Sequence, residues 1–101
     1  MTIQQVILDN KQVRIALSGS IYVQDAAEIR EKLNGLIDKG YTKILIDLSA
    51  VDYIDSSGIG TLIALHKRAH VRHGSVTIKG LNGLVKELFK LTHVDKVLEI
   101  E

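Results

Sequence analysis

The sequence predicts a mixed α/β fold, a single domain in which three helices pack on a mixed β-sheet. Two apolar runs near the N-terminus flank Asp9-Asn10, which is typical of an antiparallel hairpin. Strand-like and helix-like patterns then alternate, which is typical of right-handed parallel crossovers. No segment has the composition of a linker, a repeat or a low-complexity region, so we expect residues 1–101 to form one domain. The predicted order is ββαβαβα, with a possible short last strand.

The first part of the chain is predicted to form the hairpin and one helix. Residues 3–8 are rich in branched apolar side chains, and apolar residues alternate with other residues over 13–18. Gly19 is expected to end the second strand, and residues 20–24 to form a loop. The segment Asp25-Ala26-Ala27-Glu28 is typical of a helix capping box. The predicted apolar stripe of this helix is Ala26, Ile29, Leu33, Leu36 and Ile37.

The middle of the chain is predicted to hold the central strand and a second helix. Gly40 is expected to end the first helix. Residues 43–48 carry apolar side chains on both faces, which is typical of a central strand. A short polar connection follows, then a helix over about 57–72, with Gly74 after it. The residues of this helix predicted to be buried are Ile59, Leu62, Ile63 and Ala69.

The last part of the chain is predicted to add a strand, a helix and an edge strand. Val76 and Ile78 alternate with polar residues in a short fourth strand. Asn82 is a candidate cap for a third helix over about 83–91, and residues 96–100 are expected to form the edge strand. The residues of the third helix predicted to be buried are Leu84, Val85, Leu88 and Leu91.

The composition argues against several classes of function. Apolar residues make up 46% and charged residues 25%, as in ordinary globular proteins. The net charge is +1 and aromatic residues are 4%, so we expect no nucleic-acid partner. The absence of cysteine excludes disulfides and thiolate metal sites. Neither a signal peptide nor an apolar run of about 20 residues is present, so we expect a cytoplasmic protein without a membrane partner.

The start of the second helix holds the densest set of functional groups. Asp55 is followed by Ser56 and Ser57, and then by Gly58 and Gly60. The first N–H groups of a helix lack intrahelical partners, so they bind capping side chains and anions. A plain cap is the commonest reason for Asp or Ser here. A phosphate on serine would also be stabilised by the helix dipole. The spacing alone leaves cap, ligand site and modification site open.

Catalysis by these residues lacks support in the sequence. A nucleophile elbow requires G-x-S-x-G, whereas residues 54–58 are Ile-Asp-Ser-Ser-Gly. His66, His70 and His73 are predicted to lie about 13 Å or more along the helix, too far to act as a base. Only His93 could approach, by a fold-back of the chain. The three helical histidines share one predicted face but lack a further metal ligand, and the glycines match no nucleotide fingerprint. We therefore expect no enzyme activity, no metal and no cofactor, and the residues alone leave a small nucleotide-dependent or hydrolytic enzyme as the rival interpretation.

Residues 46–62 resemble the signature of STAS domains and, more narrowly, are similar to bacterial anti-sigma factor antagonists. The signature contains the Asp-Ser-Ser-Gly core at 55–58 and the apolar strand before it. The resemblance also includes Gly19, Gly74 and residues 88–97, so it covers nearly the whole chain. It implies a single STAS-type domain over residues 1–101, which acts as a binding module rather than as an enzyme.

The resemblance also implies a mechanism. In such antagonists the serine directly after the aspartate, here Ser56, is phosphorylated by an anti-sigma factor that is also a serine kinase. The unphosphorylated form is expected to bind that anti-sigma factor and free a sigma factor for transcription, and a PP2C-type phosphatase restores it. A monomer is expected. The partner-binding residues that the resemblance implies are Asp55, Ser57, Gly58, Ile59 and Tyr22.

One segment departs from the family pattern. Members commonly carry Gly-Glu-(apolar)-Asp after the second strand, whereas this chain has Gly19-Ser20-Ile21-Tyr22. Asp25 stands where a threonine is usual and is expected to cap the helix instead. The loss of two carboxylates should make the site less acidic and alter the choice of partner. The alternative function is that of an unphosphorylated STAS subunit of a transporter or of a stressosome-like scaffold.

Overall fold

The computed structural model describes residues 1–101, apart from the side chain at position 95. It confirms the predicted order of elements. None of the helices described is long and apolar enough to cross a membrane. The elements are β1 (Thr2–Ile7), β2 (Gln12–Ile21), α1 (Val23–Asp38), β3 (Lys43–Ile54), α2 (Ser56–Val71), β4 (Ser75–Lys79), α3 (Gly83–Leu91), a 3₁₀ turn (Val94–Lys96) and β5 (Glu99–Ile100).

The five strands form one mixed sheet in the order β1-β2-β3-β4-β5. β1 is antiparallel to β2, and each later neighbour is parallel. Every parallel step runs in the same direction along the sheet, so right-handed crossovers place α1, α2 and α3 on one face. The burial of β3 agrees, because Ile44, Ile46 and Leu48 are buried in the core whereas Lys43 is exposed. Within the part of the chain that the structure describes, the opposite face of the sheet carries no helix.

The N-terminal hairpin forms as predicted. Asp9 makes the turn, since its carboxylate accepts hydrogen bonds from the backbone N–H groups of Lys11 and Gln12, both at 2.8 Å. Such Asx bonds favour a reversal of the chain. The alternation of β2 is also confirmed: its buried residues include Val13, Ile15 and Leu17.

The prediction that Gly19 ends β2 was wrong. Gly19 has φ +87° inside the strand, and the register of β2 with β3 shifts on both sides of it. These irregularities let the two strands continue pairing as far as Ile21 and Ile54. The predicted polar connection after β3 is therefore mostly strand. It is held in place because Val51 and Ile54 are buried.

The predicted loop over residues 20–24 and the cap at Asp25 were also wrong. α1 begins at Val23, with Tyr22 at the N-cap position. Asp25 is the third residue of the helix, and its carboxylate accepts a hydrogen bond from the Tyr22 N–H at 2.9 Å. It therefore supplies the reach-back half of a capping box. The predicted apolar stripe is buried, and Gly40 follows the helix with φ +98°.

α2 begins at Ser56, one residue earlier than predicted. Three of the four residues predicted to be buried are buried, whereas Ile63 is only half-buried. Leu65 is buried instead, at 2% exposure. The buried side of the helix therefore includes Thr61 and Leu65 rather than Ile63.

α3 has the predicted bounds but a different buried side. Val85 and Phe89 are buried, whereas Leu84 and Leu91 are 54% and 74% exposed. Val85 and Phe89 are four residues apart, so both side chains point at the core, where Phe89 fills more space than a leucine would. Asn82 is at the N-cap position, but its amide donates hydrogen bonds to backbone carbonyls, including that of Gly80 at 2.9 Å. The last strand is an edge strand, shorter than predicted.

Candidate functional site

The ends of β2 and β3 bring two distant segments together at the start of α2. The Asp55 N–H donates a hydrogen bond to the Ile21 carbonyl at 3.1 Å. Tyr22 directly follows Ile21 in the chain, and Ser56 directly follows Asp55. The carboxyl ends of parallel strands are where open α/β sheets usually bind ligands. The structure therefore gives the serines and Tyr22 a common location.

Asp55 is the N-cap of α2. Its Oδ1 accepts hydrogen bonds from the Gly58 N–H at 3.0 Å and from the Ser57 hydroxyl at 2.5 Å. The Ser57 hydroxyl, followed by the Gly58 N–H, lowers the pKa of the Asp55 carboxyl below its ordinary value. The carboxylate is thus held ionised at the helix start, where the dipole favours negative charge. Asp55 accordingly has a structural role in starting the helix.

Ser56 and Ser57 differ in what their hydroxyls do. The Ser57 hydroxyl is engaged with Asp55 and its residue is half-buried. Ser56 is the first residue of α2 and is exposed. Its hydroxyl has no hydrogen-bond partner among the residues whose side chains the structure describes. Of the two serines, Ser56 is therefore the one open to another molecule.

Two residues expected to contact a partner lie in the interior. Gly58 is buried, and Ile59 is only 5% exposed and belongs to the main core. A Cβ on Gly58 would lie 2.7 Å from Ile54 Cγ1 and 3.0 Å from Ile21 Cγ2. The glycine thus lets the first turn of α2 pack against the ends of β2 and β3. Gly60 has no such neighbour within 4 Å, so only one of the two glycines has this role.

Aromatic and aliphatic side chains are exposed beside Ser56. The rings of Tyr22 and Tyr53 lie 5.5 Å apart, centroid to centroid, at an interplanar angle of 38°. Tyr22 is 47% exposed and Val23 is 66% exposed. We call Tyr22, Val23, Tyr53 and Ser56 the Ser56 surface. It offers aromatic and aliphatic contact area beside the Ser56 hydroxyl.

Two carboxylates near this surface have partners. The Ser20 hydroxyl donates a hydrogen bond to Asp52 Oδ1 at 2.7 Å. The Asp25 carboxylate is bound by the Tyr22 N–H. The segment that lacks the two acids usual in the family is therefore bonded to an acid from β3. Sequence reasoning missed both the Ser20–Asp52 pair and the Tyr22–Tyr53 pair, because their members are about 30 residues apart and no local pattern links them.

The predicted histidine face is not formed. His73 lies beyond the end of α2 with φ +64°, so only His66 and His70 are on the helix. Their rings are stacked at 6.1 Å. The Nδ1 atom of His66 accepts a hydrogen bond from the Val76 N–H on β4 at 3.0 Å. Within the described part of the chain, no three His, Cys, Asp or Glu side chains are grouped to hold a metal ion.

A second carboxyl with a lowered pKa, that of Asp47, belongs to the open face of the sheet. Hydrogen bonds from the backbone N–H and the hydroxyl of Ser49, with help from Arg14, lower the pKa of Asp47 from its ordinary 3.8 to about 2. The Arg14 guanidinium donates to Asp47 Oδ2 at 2.9 Å. Asp47 is 9% exposed. These contacts stabilise the middle of β3 and do not involve the Ser56 surface.

Known proteins resemble this chain along most of its length. It is 28% identical over 93 residues to the anti-sigma-B factor antagonist of Listeria monocytogenes, covering 92% of this chain and 82% of that protein. The solved structure of the anti-sigma factor antagonist SpoIIAA in its unphosphorylated form has a TM-score of 0.80 at 19% identity, with 99% of this chain and 87% of that chain covered.

A second structure, of the Bacillus cell fate determinant SpoIIAA in the phosphorylated form, has a TM-score of 0.78 at 17% identity, covering 99% of this chain and 91% of that one. At these identities the structures establish the fold. The family model described as "Mlab, STAS domain" matches residues 5–99. The chain therefore belongs to the STAS domain family.

Proposed function

We propose that this chain is an anti-sigma factor antagonist, a binding module controlled by phosphorylation of Ser56. The unphosphorylated form binds an anti-sigma factor that is also a serine kinase, and so releases a sigma factor for transcription. A PP2C-type phosphatase restores the binding form. The unit that makes this contact is one chain, and the chemistry belongs to its partners. The names of the relatives support this proposal.

The single observation that carries the choice of residue is the difference between the two serine hydroxyls. Ser57 donates its proton to Asp55, so a kinase that modified it would have to break that bond and crowd the cap. Ser56 is exposed at the first position of α2. A phosphate on it would lie near the unpaired N–H groups of the first turn. The fold can therefore carry the phosphate without losing its cap.

The Ser56 surface explains how one phosphate would act as a switch. Two of its members, Tyr22 and Val23, are exposed and offer mainly apolar contact area to a partner. A partner that packs on them would also remove water from Ser56. Phosphorylation adds a charge of about −1.5 to −2, which must then be desolvated beside the Asp55 carboxylate. An unpaired charge buried in this way costs several kcal/mol, so binding is lost while the domain stays folded.

The missing acids of the β2 end affect partner choice in this proposal. Where the family commonly presents a carboxylate, this chain presents the Tyr22 ring against Tyr53. A partner that meets this ring gains from an apolar or aromatic group, or from a guanidinium stacked on the ring, and no longer from an ion pair with a carboxylate there. We therefore expect a dedicated anti-sigma factor for this chain.

Phosphorylation is tested by incubating the chain with ATP and a cognate serine kinase, which is sought first among the genes that neighbour its own. Intact-mass measurement should show one added phosphate, which Ser56→Ala abolishes. Ser57→Ala is the matched control, because it removes the neighbouring hydroxyl and leaves the Gly58 bond to Asp55 in place. A phosphate that persists in Ser56→Ala and disappears in Ser57→Ala would remove the site assignment.

Partner switching is tested by calorimetry with the same kinase. Ser56→Asp should bind it more weakly than the wild type while its circular dichroism spectrum is unchanged. Equal affinity of the two forms would refute the charge switch. A kinase that neither binds nor modifies the chain would favour the alternative, an unphosphorylated STAS subunit of a transporter or of a signalling scaffold.

A further inference from the structure

β1 is an edge strand without the usual protection. It pairs with β2 on one side only, in a register that runs without a bulge from Thr2 to Ile7. It contains no charged residue and no proline. Natural proteins commonly protect such edges with lysine, proline, bulges or a covering segment. The edge of β1 therefore presents a row of backbone groups to any strand that fits it.

The hydrogen-bond pattern identifies which backbone groups are free. The Leu8 N–H donates to the Gln12 carbonyl at 2.9 Å, so residue 8 points its backbone at β2. In an antiparallel pair, residues alternate between pointing at the partner and pointing away from it. Ile3, Gln5 and Ile7 therefore direct their N–H and C=O groups outward.

Most side chains along this edge are also exposed, whereas Ile3 is half-buried against the core. Val6, Ile7 and Leu8 are 55%, 45% and 51% exposed. Gln5 is exposed on the helix-bearing face, although its cross-strand neighbour Ile15 is fully buried. The helix layer thus stops short of this part of β1. A second strand could approach the edge without meeting a helix.

We propose that two copies of this chain pair through β1, antiparallel and about a two-fold axis at Gln5. In this register Ile3 of each copy lies opposite Ile7 of the other, and the two Gln5 residues face each other. All three are the residues whose backbone groups point outward, so every pair exchanges both of its N–H···O=C bonds. The result is one ten-stranded sheet, twice the five strands of one chain, with both sets of helices on the same face.

A second copy fits this edge for a reason specific to the strand. The spacing of Ile3 and Ile7 about Gln5 is symmetric, so the strand matches its own reversed copy. No like charges meet, because the strand carries none. Pairing covers apolar area that the monomer leaves exposed, chiefly on Ile7, which is 45% exposed. A contact made by two six-residue strands buries a small area compared with stable interfaces, so pairing depends on protein concentration.

The pairing is independent of the proposed switch and revises the monomer expected from the sequence. The register of β1 with β2 ends at Ser18, and no residue of the Ser56 surface belongs to β1. The two copies therefore leave Tyr22 and Ser56 accessible.

Sedimentation equilibrium of the wild type and two opposite charge variants tests this register. The wild-type average mass should rise from 11.2 kDa toward twice that value between micromolar and millimolar concentration. Gln5→Lys and Gln5→Glu should each stay monomeric, because like charges then meet at the axis. An equimolar mixture of the two should restore the dimer. Gln4→Lys is the matched control: it adds the same charge, but its cross-strand neighbour is Val6 of the other copy, so it should still dimerise.

Thermal melts establish that each variant is folded. A wild type that stays monomeric at millimolar concentration would overturn the proposal and leave the edge to an extended segment of another protein. Two charge variants that dimerise like the wild type would overturn it as well. A mixture that stays monomeric, or a Gln4→Lys that dissociates as fully as Gln5→Lys, would refute the register centred on Gln5.

Discussion

The two glycines of the first turns of α2 allow a packing effect to be separated from a helix effect. Gly58→Ala places a methyl group 2.7 Å from Ile54 Cγ1 and 3.0 Å from Ile21 Cγ2. Overpacking of this kind costs about 1–3 kcal/mol. A helical Gly→Ala change also stabilises by about 0.8–1 kcal/mol. Gly58→Ala should therefore lower the free energy of unfolding by up to about 2 kcal/mol.

Gly60→Ala supplies the matched control. No atom lies within 4 Å of its added methyl group beyond the local helix, so only the helix term remains and the variant should be more stable than the wild type. The difference between the two variants cancels that term and isolates the packing cost, about 1–3 kcal/mol. Urea denaturation measures both free energies, and thermal melts should differ by about 4 °C or more. Equal stability of Gly58→Ala and Gly60→Ala would refute the close packing of α2 on the strand ends.

Two further predictions concern buried polar groups. Hydrogen bonds from Ser49 lower the pKa of Asp47 in the folded state from 3.8 to about 2. The ionised carboxylate therefore contributes at most about 2.4 kcal/mol to the free energy of unfolding. This contribution is present above pH 4 and is lost as the pH falls through 2. Acid titration of stability should show this slope in the wild type and a shallower one in Asp47→Asn; equal slopes would contradict it. His66→Phe removes the acceptor of the buried Val76 N–H and should cost about 1–3 kcal/mol in urea denaturation. His70→Phe, whose ring is exposed on the same helix, should cost little, and a similar loss in both would exclude the hydrogen bond as the cause.

The regular elements followed from local patterns. Val13, Ile15 and Leu17 are buried as their alternation predicted, and α1 buries its predicted stripe. These patterns are reliable because burial of one face is what stabilises a strand or a helix in this fold. The order of the elements, with right-handed crossovers, then left few arrangements of the sheet.

Local signals failed where pairing between distant segments outweighed them. Gly19 indicated the end of β2, yet the strand continues through a bulge because β3 supplies a partner as far as Ile54. Asp25 is of a residue type common at N-caps, but it is the third residue of α1 and accepts a hydrogen bond from the Tyr22 N–H there. In α3 the leucines at 84 and 91 are exposed, because the position of the helix on the sheet selects Val85 and Phe89.

The sequence by itself determined that a serine pair follows an aspartate at the start of a helix behind a central strand. A short motif on adjacent residues carries that information, because capping involves only the first turn. The tertiary structure decided that Ser57 is bound to Asp55 while Ser56 is exposed, and that Tyr22 lies against Tyr53 beside it. The physical reason is that the exposure of a hydroxyl depends on which other segments the sheet brings to the same end.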